Sequence, residues 1–500
     1  MIEALWNGLL ITLQWKTFLM MMITIPIGLI LGILPGIGGK VGLAILIPFC
    51  FGMKPEMAFA FLLGMHAVVH TGSPIPAILF NTPDGPAAAT CIDGYPMAQK
   101  GEAGRAMGAA LAASGVGGVV GAICMALTIP VVRPLVLAFG PPEFFMMTIV
   151  GLTFISIMAG DSLIKGFMAG GMGMIISFVG MDPQTGVVRY AFNQLYLFDG
   201  INIVTIVIGI FAMAEVIDMG IQGGSIAHTR PEDVKGSGVW QGIKDTFIHW
   251  KLTLRCSVIG SIIGMIPGLG GEAASWICYG HAVQTAKDPK RYGLGAVEGV
   301  LAPEAANNSK EGGGLIPTVA FGVPSSGAMA ILLGAFIVIG LVPGQEMLTK
   351  HLDLVFSMVW ILAFANIIGV LISLAFVGPM ARITFIRISG VIPFILAFAL
   401  LGSYLATNHF GDLVVTFIFG LVGYGMKVFK YPRGPMTLGI VLGKLSENYL
   451  HLSMNLYGVY FLLRPLTLLL IAIIVATVIY QYLRRRKMDK METLGKGGAL

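Results

Sequence analysis

The sequence predicts an all-α polytopic membrane protein. It is expected to have two inverted-topology repeats with broken helices or re-entrant hairpins, and about 12 transmembrane segments. Three observations predict this. Of 500 residues, 56% are hydrophobic and 11% charged, whereas a soluble chain carries about 25% charged residues. Apolar runs such as Phe18 to Leu34, Leu354 to Val377 and Leu466 to Tyr482 are long enough to span and lack the alternation of an outer-membrane barrel. Two Gly-Pro signatures also recur, in the same order, in the two halves of the chain.

Residues 1–16 form an N-terminal interfacial segment, with Trp6 and Trp15 as anchors. Glu3 and Lys16 precede the first apolar run, which continues into PGIGG, so it does not read as a cleaved signal peptide. Residues 17–225 form the first repeat, and its first signature is GILPGIGG (Gly32 to Gly39). The second signature is FNTPDG (Phe80 to Gly85), the tip of AVVHTGSPIPAILFNTP (Ala67 to Pro83). The small-residue stretches SGVGGVVGA (Ser114 to Ala122) and AGGMGM (Ala169 to Met174) suit close helix packing.

Residues 226–252 read as a cytoplasmic linker. Residues 253–483 form the second repeat, where GMIPGLGG (Gly264 to Gly271) and FGVPSSG (Phe321 to Gly327) answer the earlier pair. The segment NNSKEGGGLIPTVAFGVP (Asn307 to Pro324) parallels residues 67–83. Residues 484–500 are a basic tail. The loop with Lys287, Lys290 and Arg291 is net basic, while Lys54 and Glu56 cancel in its counterpart. After the hairpins, Lys100, Glu102 and Arg105 give a basic loop, against an acidic one with Glu346, Lys350 and Asp353. The swap suggests inversion, with the N-terminus outside and the C-terminus inside.

Net charge is +6, with a pI near 9.0. In a membrane protein this reflects basic cytoplasmic loops rather than nucleic-acid binding. The five cysteines are scattered and read as small core residues, not as a disulfide or metal framework.

A helix break in lipid exposes main-chain polar groups, and persists only against protein or a water-filled cavity. Free helix N-termini attract anions, while free carbonyls with Asn, Ser and Thr oxygens suit cations. The candidates at the breaks are Asn81, Thr82, Pro83 and Asp84 in the first half, and Gly322, Pro324, Ser325 and Ser326 in the second. Asn81, Thr82 and Ser325 are the candidate sodium ligands. A kink that merely packs against other helices is the bland alternative for one such motif; the matched pair favours a site.

The polar clusters His70, Thr71, Gly72, Ser73 and Asn307, Asn308, Ser309, Lys310 come next. Continuous polarity over residues 307–312 reads more readily as a solvated loop. The glycine loops at Gly36, Gly38, Gly268 and Gly270 could cradle an anion in backbone N–H groups, or simply reverse the chain. Lys40 and Lys310 are candidates to balance an anion, and Glu298 and Glu304 are intramembrane acids able to carry protons. Asp161, Lys165 and Glu215 read as helix-end residues. His66 and His70 are spaced i, i+4, with no third metal ligand evident nearby. No cofactor is expected.

PGIGG, SPIPAILFNTPDGPAAA, DGYPMAQKGEAGRAMGAA, PGLGGEAASW, APEAANNSKEGGGLIPTVAFGVPSSGAMA and LVPG together resemble the large membrane subunit (TctA-like) of the tripartite tricarboxylate transporter family. The resemblance runs from about Trp15 to about Leu463. It implies secondary active uptake of citrate or another carboxylate across a bacterial inner membrane, driven by a sodium or proton gradient. It also implies two partners, a small membrane subunit (TctB-like) and a periplasmic substrate-binding protein (TctC-like). By matching position, it places Thr71, Ser73, Asn81, Thr82, Pro83, Ser309, Gly322, Pro324, Ser325 and Ser326 along the substrate and ion region. The expected mechanism is alternating access, with the paired broken hairpins moving against a scaffold. A stand-alone carboxylate transporter without binding protein, a passive channel and an intramembrane enzyme are the competing readings. The absence of a P-loop agrees with secondary transport, and the absence of HExxH weighs against an enzyme.

Overall fold

A computed structural model describes residues 1–34, 37–158, 162–182, 184–222, 238–267, 269–383, 388–479 and 483. These are almost wholly helical. In chain order the helices are α1 (Ile2–Leu13), α2 (Trp15–Ile33), α3 (Gly38–Leu46), α4 (Pro55–Gly72), α5 (Pro74–Phe80), α6 (Ala88–Gln99), α7 (Ala103–Leu137), α8 (Pro141–Met158) and α9 (Leu163–Ser177). After a short hairpin come α10 (Ile203–Val207), α11 (Ala214–Gln222), α12 (Val239–Ile248), α13 (Trp250–Gly264), α14 (Gly270–Thr285), α15 (Val297–Phe321) and α16 (Gly327–Val338). The series ends with α17 (Gln345–Thr349), α18 (Leu352–Ala375), α19 (Val377–Ile383), α20 (Ile388–Thr407), α21 (Phe410–Val428) and α22 (Arg433–Tyr457). Among the described residues, seven helical stretches are long and apolar enough to cross a membrane. An eighth is a pair, residues 433–463 and 465–479, bent by 66°. The expected run from Leu466 to Tyr482 falls on the second arm, and residues 480–482 lie outside the described residues.

By packing, the chain forms two units. One joins Met1–Val136 to Ile201–Phe429, and the other joins Leu137–Gly200 to Lys430–Leu500. In the second, Gly173 and Gly439 let α9 and α22 approach backbone to backbone, as AGGMGM suggested. That unit also holds a two-stranded hairpin the sequence reading did not anticipate, with Gly180 paired to Arg189 and Met181 to Val188. The expected linker at 226–252 is only partly described. Its residues from Gly238 run into α12 and α13, while residues 223–237 and the tail 484–500 lie outside the described residues.

The first unit is organised around α15. Its 25 residues give about 37 Å of helix, enough for a hydrocarbon core of about 30 Å. Every residue from Val297 to Ala320 is buried, so this helix meets protein and not lipid. The stretch 307–312, which looked like a solvated loop, lies in its middle. It is polar because its neighbours supply partners, and it is close-packed because glycines meet there. A Cβ at Gly117 or Gly121 on α7 would collide with the carbonyl oxygens of Ala305 and Ser309. Gly312 abuts Gly121, and Gly313 abuts the Ser261 carbonyl of α13. The stretch SGVGGVVGA is thus the seam between α7 and α15.

All five cysteines are unpaired, and four of them are buried.

Candidate functional site

Two helix breaks flank the core of the first unit, and both are built the same way. Helix α5 ends at Asn81 in the left-handed conformation, φ 54°. Helix α15 ends at Gly322, φ 68°. Pro76 lies five residues before the first cap and Pro317 five before the second, and each proline's carbonyl accepts its cap's N–H. The following N–H adds a second bond to the same carbonyl, 3.4 Å from Thr82 and 3.1 Å from Val323. The chain then runs through Pro83 or Pro324 and restarts. Asp84 Oδ1 accepts the Ala87 N–H at 3.0 Å ahead of α6. Ser326 Oγ accepts the Met329 N–H at 3.2 Å to cap α16. Thr82 Oγ1 donates to the Pro76 carbonyl at 3.3 Å.

The environments of the breaks differ. Asn81, Pro83 and Gly85 are exposed, with Thr82 and Asp84 half-buried. Gly322, Val323, Pro324 and Ser325 are buried. Ser325 Oγ lies against Gly314 of α15, where a Cβ would displace it.

Each break touches the helix that follows the glycine loop of the other half. Gly85 packs against the Glu272 carboxylate in the first turn of α14, with no room for a side chain. A Cβ at Gly327 would stand 3.3 Å from Lys40 Cε in the first turn of α3. Gly38 holds φ 56° and opens α3, and Gly270 opens α14. Gly36 and Gly268 lie outside the described residues.

Beside the second break lies a buried charged cluster. Lys310 Nζ donates to Glu311 Oε1 at 2.8 Å. The same carboxylate meets His66 Nε2 at 3.0 Å and His70 Nε2 at 3.2 Å. Lys310 Nζ also lies 3.2 Å from His70 Nε2. All four residues are buried, and neither His66 Nδ1 nor His70 Nδ1 has a hydrogen-bond partner. Gly39 brings the start of α3 onto His66, since a Cβ there would be 2.9 Å from His66 Nδ1. Glu311 is the third ligand that the local sequence did not offer His66 and His70. The three side chains present ligand atoms within 4.8 Å of one another, but the Lys310 ammonium already supplies a positive charge to this carboxylate. The geometry is that of an ion pair flanked by imidazoles.

One turn away, Asn308 Nδ2 donates to Thr71 Oγ1 at 2.8 Å and to Asn366 Oδ1 of α18 at 2.7 Å. The Asn308 carbonyl oxygen is buried and unpaired. Ser73 donates to the His70 carbonyl at 3.1 Å, where α4 passes into α5. Ser309 turns the other way. Its hydroxyl donates to the Ala306 carbonyl at 3.2 Å and packs against Gly260 of α13. The structure therefore brings Thr71, Asn308 and Lys310 together with His66, His70, Glu311 and Asn366, and leaves Ser309 on the opposite face.

Glu304 is fully buried on the same helix and accepts from Thr90 Oγ1 at 2.5 Å and Ser114 Oγ at 3.1 Å. Glu298, its companion in the sequence reading, instead pairs with Arg291 and lies 3.7 Å from His249. Sequence reasoning missed Asp93. Its Oδ1 accepts the N–H groups of Gly293, Gly295 and Ala296, each at 2.8 Å, and its Oδ2 accepts from Tyr279 at 3.0 Å. This carboxylate ties α6, which leaves the first break, to the start of α15, which leads into the second. Its position in DGYP gives no local signal of three partners some 200 residues away.

Among the described residues, the other unit holds one comparable group. Asp182, Glu447 and His451 lie within ligating reach of one another, but Arg189 already takes both Glu447 oxygens at 2.7 and 3.0 Å.

A relative from Agrobacterium vitis, described as an uncharacterized 52.8 kDa protein in the TAR-I ttuC' 3' region, is 31% identical over 471 residues, covering 93% of each chain. A second from the same organism, an uncharacterized protein in the TAR-II ttuC' 3' region, is 32% identical over 195 residues, or 39% of this chain and 81% of that one. No solved structure matches. Residues 18–438 match the tripartite tricarboxylate transporter TctA family, a range that takes in both breaks, both glycine loops and all of α15. Multi-pass and helical, this chain belongs to that family.

Proposed function

We propose that this protein is the membrane-embedded pathway for secondary active uptake of a small carboxylate across a bacterial inner membrane. The single observation that carries the reading is the buried Lys310–Glu311 pair beside a helix break. A buried ammonium in a membrane protein is costly without a partner. Here that partner is a carboxylate, the functional group of the substrate class. An incoming carboxylate can take the place of the Glu311 oxygen on Lys310, while His66 and His70 keep hold of Glu311. The amide ends of α3 and α16, adjacent through Lys40 and Gly327, add partial positive charge.

The two halves, 17–225 and 253–483, are read as inverted repeats making about 12 membrane segments, with the N-terminus periplasmic and the C-terminus cytoplasmic. The matched breaks and their crosswise contacts support this. One break is open and the other enclosed, which suits alternating access by movement of the paired hairpins. A sodium or proton gradient drives the cycle. A periplasmic binding protein delivers the substrate, and a small membrane subunit completes the assembly.

The test is accumulation of a panel of labelled mono-, di- and tricarboxylates in proteoliposomes, under imposed sodium and proton gradients, with and without the binding protein. Gradient-dependent accumulation of at least one carboxylate is expected, abolished by Lys310→Met. Flux down the carboxylate gradient alone, indifferent to both ions, would make the protein a channel. Full uptake without the binding protein would favour a stand-alone transporter.

A further inference from the structure

Glu304 has no basic partner. Among the described residues no lysine, arginine or histidine forms an ion pair with it, and its two hydrogen bonds come from neutral hydroxyls. The other buried acids of the first unit described above have stronger partners. Glu311 has Lys310, Glu298 has Arg291, and Asp93 has three backbone N–H groups and a phenol. A fully buried carboxylate without such compensation is expensive, and is neutralised either by a proton or by a cation from outside the chain.

The surroundings show which kind. Thr90 comes from α6, Ser114 from α7, and Asn307 stands one turn beyond Glu304 on α15. Asn307 is fully buried, and its side chain reaches toward the Glu304 carboxyl. Neither its oxygen nor its nitrogen completes a hydrogen bond. A buried carboxamide oxygen without a partner is unusual and leaves a hard donor free beside Glu304. A carboxylate, two hydroxyls and a carboxamide oxygen are all hard oxygen donors, suited to alkali and alkaline-earth ions rather than softer metals. The single negative charge balances one monovalent ion, whereas a divalent ion would leave net positive charge in the interior.

We infer that Glu304, Thr90, Ser114 and Asn307 form a sodium site between α6, α7 and α15. On binding, the two hydroxyls turn their protons away and offer oxygen lone pairs, and Asn307 Oδ1 completes the fourth protein ligand. The site is distinct from the sodium ligands expected at the breaks, Asn81, Thr82 and Ser325. It rests on the proposed transport function for its role as the coupling site. Glu304 lies two turns before Glu311 on one helix, so both charges ride on the same rigid element.

The test uses the purified full-length protein with no carboxylate present. Its thermal midpoint is followed against NaCl, with KCl and choline chloride at matched ionic strength, and direct binding is read with radioactive sodium. The wild type should gain stability saturably with sodium and not with potassium. Glu304→Gln should lose that response while keeping its midpoint in potassium. Ser114→Ala and Asn307→Ala should each raise the half-saturating sodium concentration by about tenfold, and they serve if Glu304→Gln does not fold. A wild type indifferent to sodium overturns the inference, as does a full sodium response in Glu304→Gln. A wild type stabilised by low pH alone, with that effect lost in Glu304→Gln, makes this a proton site and also overturns it. Because no substrate is present, such failures leave the carboxylate reading standing. Sodium binding without uptake of any carboxylate would instead defeat that reading and leave the sodium site intact.

Discussion

The two helix breaks share a backbone and differ in charge and burial. Each ends a helix on a left-handed residue, bonds two N–H groups to a proline carbonyl five residues before the cap, and then uses a side-chain oxygen to accept the N–H three residues on. The first is open and acidic, with Asp84 in it and Glu272 against it. The second is enclosed, with Lys40 beside it and Lys310 in the adjoining cluster. The backbone dipoles therefore sit beside acids at the first break and beside Lys40 at the second, where Lys310 is offset by Glu311. The difference suggests a division of labour, in which the side near the first break holds a cation and the side near the second holds an anion. Thr90, on the helix that leaves the first break, already faces Glu304.

The sharpest way to break that comparison is to remove charge on one side only. Glu311→Ala strands Lys310 in a buried setting and should cost about 3–5 kcal/mol, the range for breaking a buried pair. Lys310→Met combined with Glu311→Gln should restore most of that stability, since no lone charge remains, yet abolish carboxylate uptake. On the open side, Glu272→Ala removes an exposed acid and should cost less than about 1 kcal/mol. Thermal or denaturant unfolding in detergent measures all three variants. Equal losses for Glu311→Ala and Glu272→Ala would mean that the enclosure of the second side has no energetic content.

A smaller effect sharpens the same contrast at the caps. Gly322 has φ 68°, and a Cβ there would lie 3.2 Å from Pro343 Cγ. Gly322→Ala pays for the left-handed backbone, about 1–2 kcal/mol, and also crowds Pro343. Asn81 holds the same conformation in open surroundings. Asn81→Ala should cost about 1 kcal/mol, and Asn81→Gly should be neutral or stabilising. If Gly322→Ala is no worse than Asn81→Ala in the same unfolding assay, the enclosed break is no tighter than the open one.

Much of this was legible in the sequence. Composition gave the helical membrane class, and the Gly-Pro signatures located both breaks to the residue, since only a few residues tolerate positive φ and a proline beyond it stops the helix. The Ser114 to Ala122 stretch announced the α7–α15 seam because close backbone approach requires small side chains. Two things were hidden. Residues 307–312 read as a loop because a one-dimensional pattern cannot show that Thr71, His66, His70 and Asn366 come to meet them. Asp93 and Glu311 stayed silent for the same reason. A residue whose partners lie some 200 positions away carries no local signature.

The smallest effect concerns the restart of each helix. Asp84 and Ser326 each accept an N–H three residues on, at 3.0 and 3.2 Å. Replacing a helix cap such as Ser326 by alanine typically costs about 1 kcal/mol, while Asp84 closes the turn that precedes α6. Both side chains are half-buried, but only Asp84 lies among exposed residues, where water can satisfy the freed N–H. Asp84→Ala should therefore fall toward about 0.5 kcal/mol and Ser326→Ala toward the upper end near 2 kcal/mol. Asp84→Asn separates geometry from charge. It keeps the accepting oxygen, so the loss is confined to the attraction between a carboxylate and a helix N-terminus, about 0.3–1 kcal/mol at low salt. That loss should shrink as salt is raised, whereas the cost of Ser326→Ala should not change with salt. A salt-independent penalty for Asp84→Asn would show that Asp84 works only as a hydrogen-bond acceptor, and would remove one of the two acidic groups on which the opposition between the breaks depends.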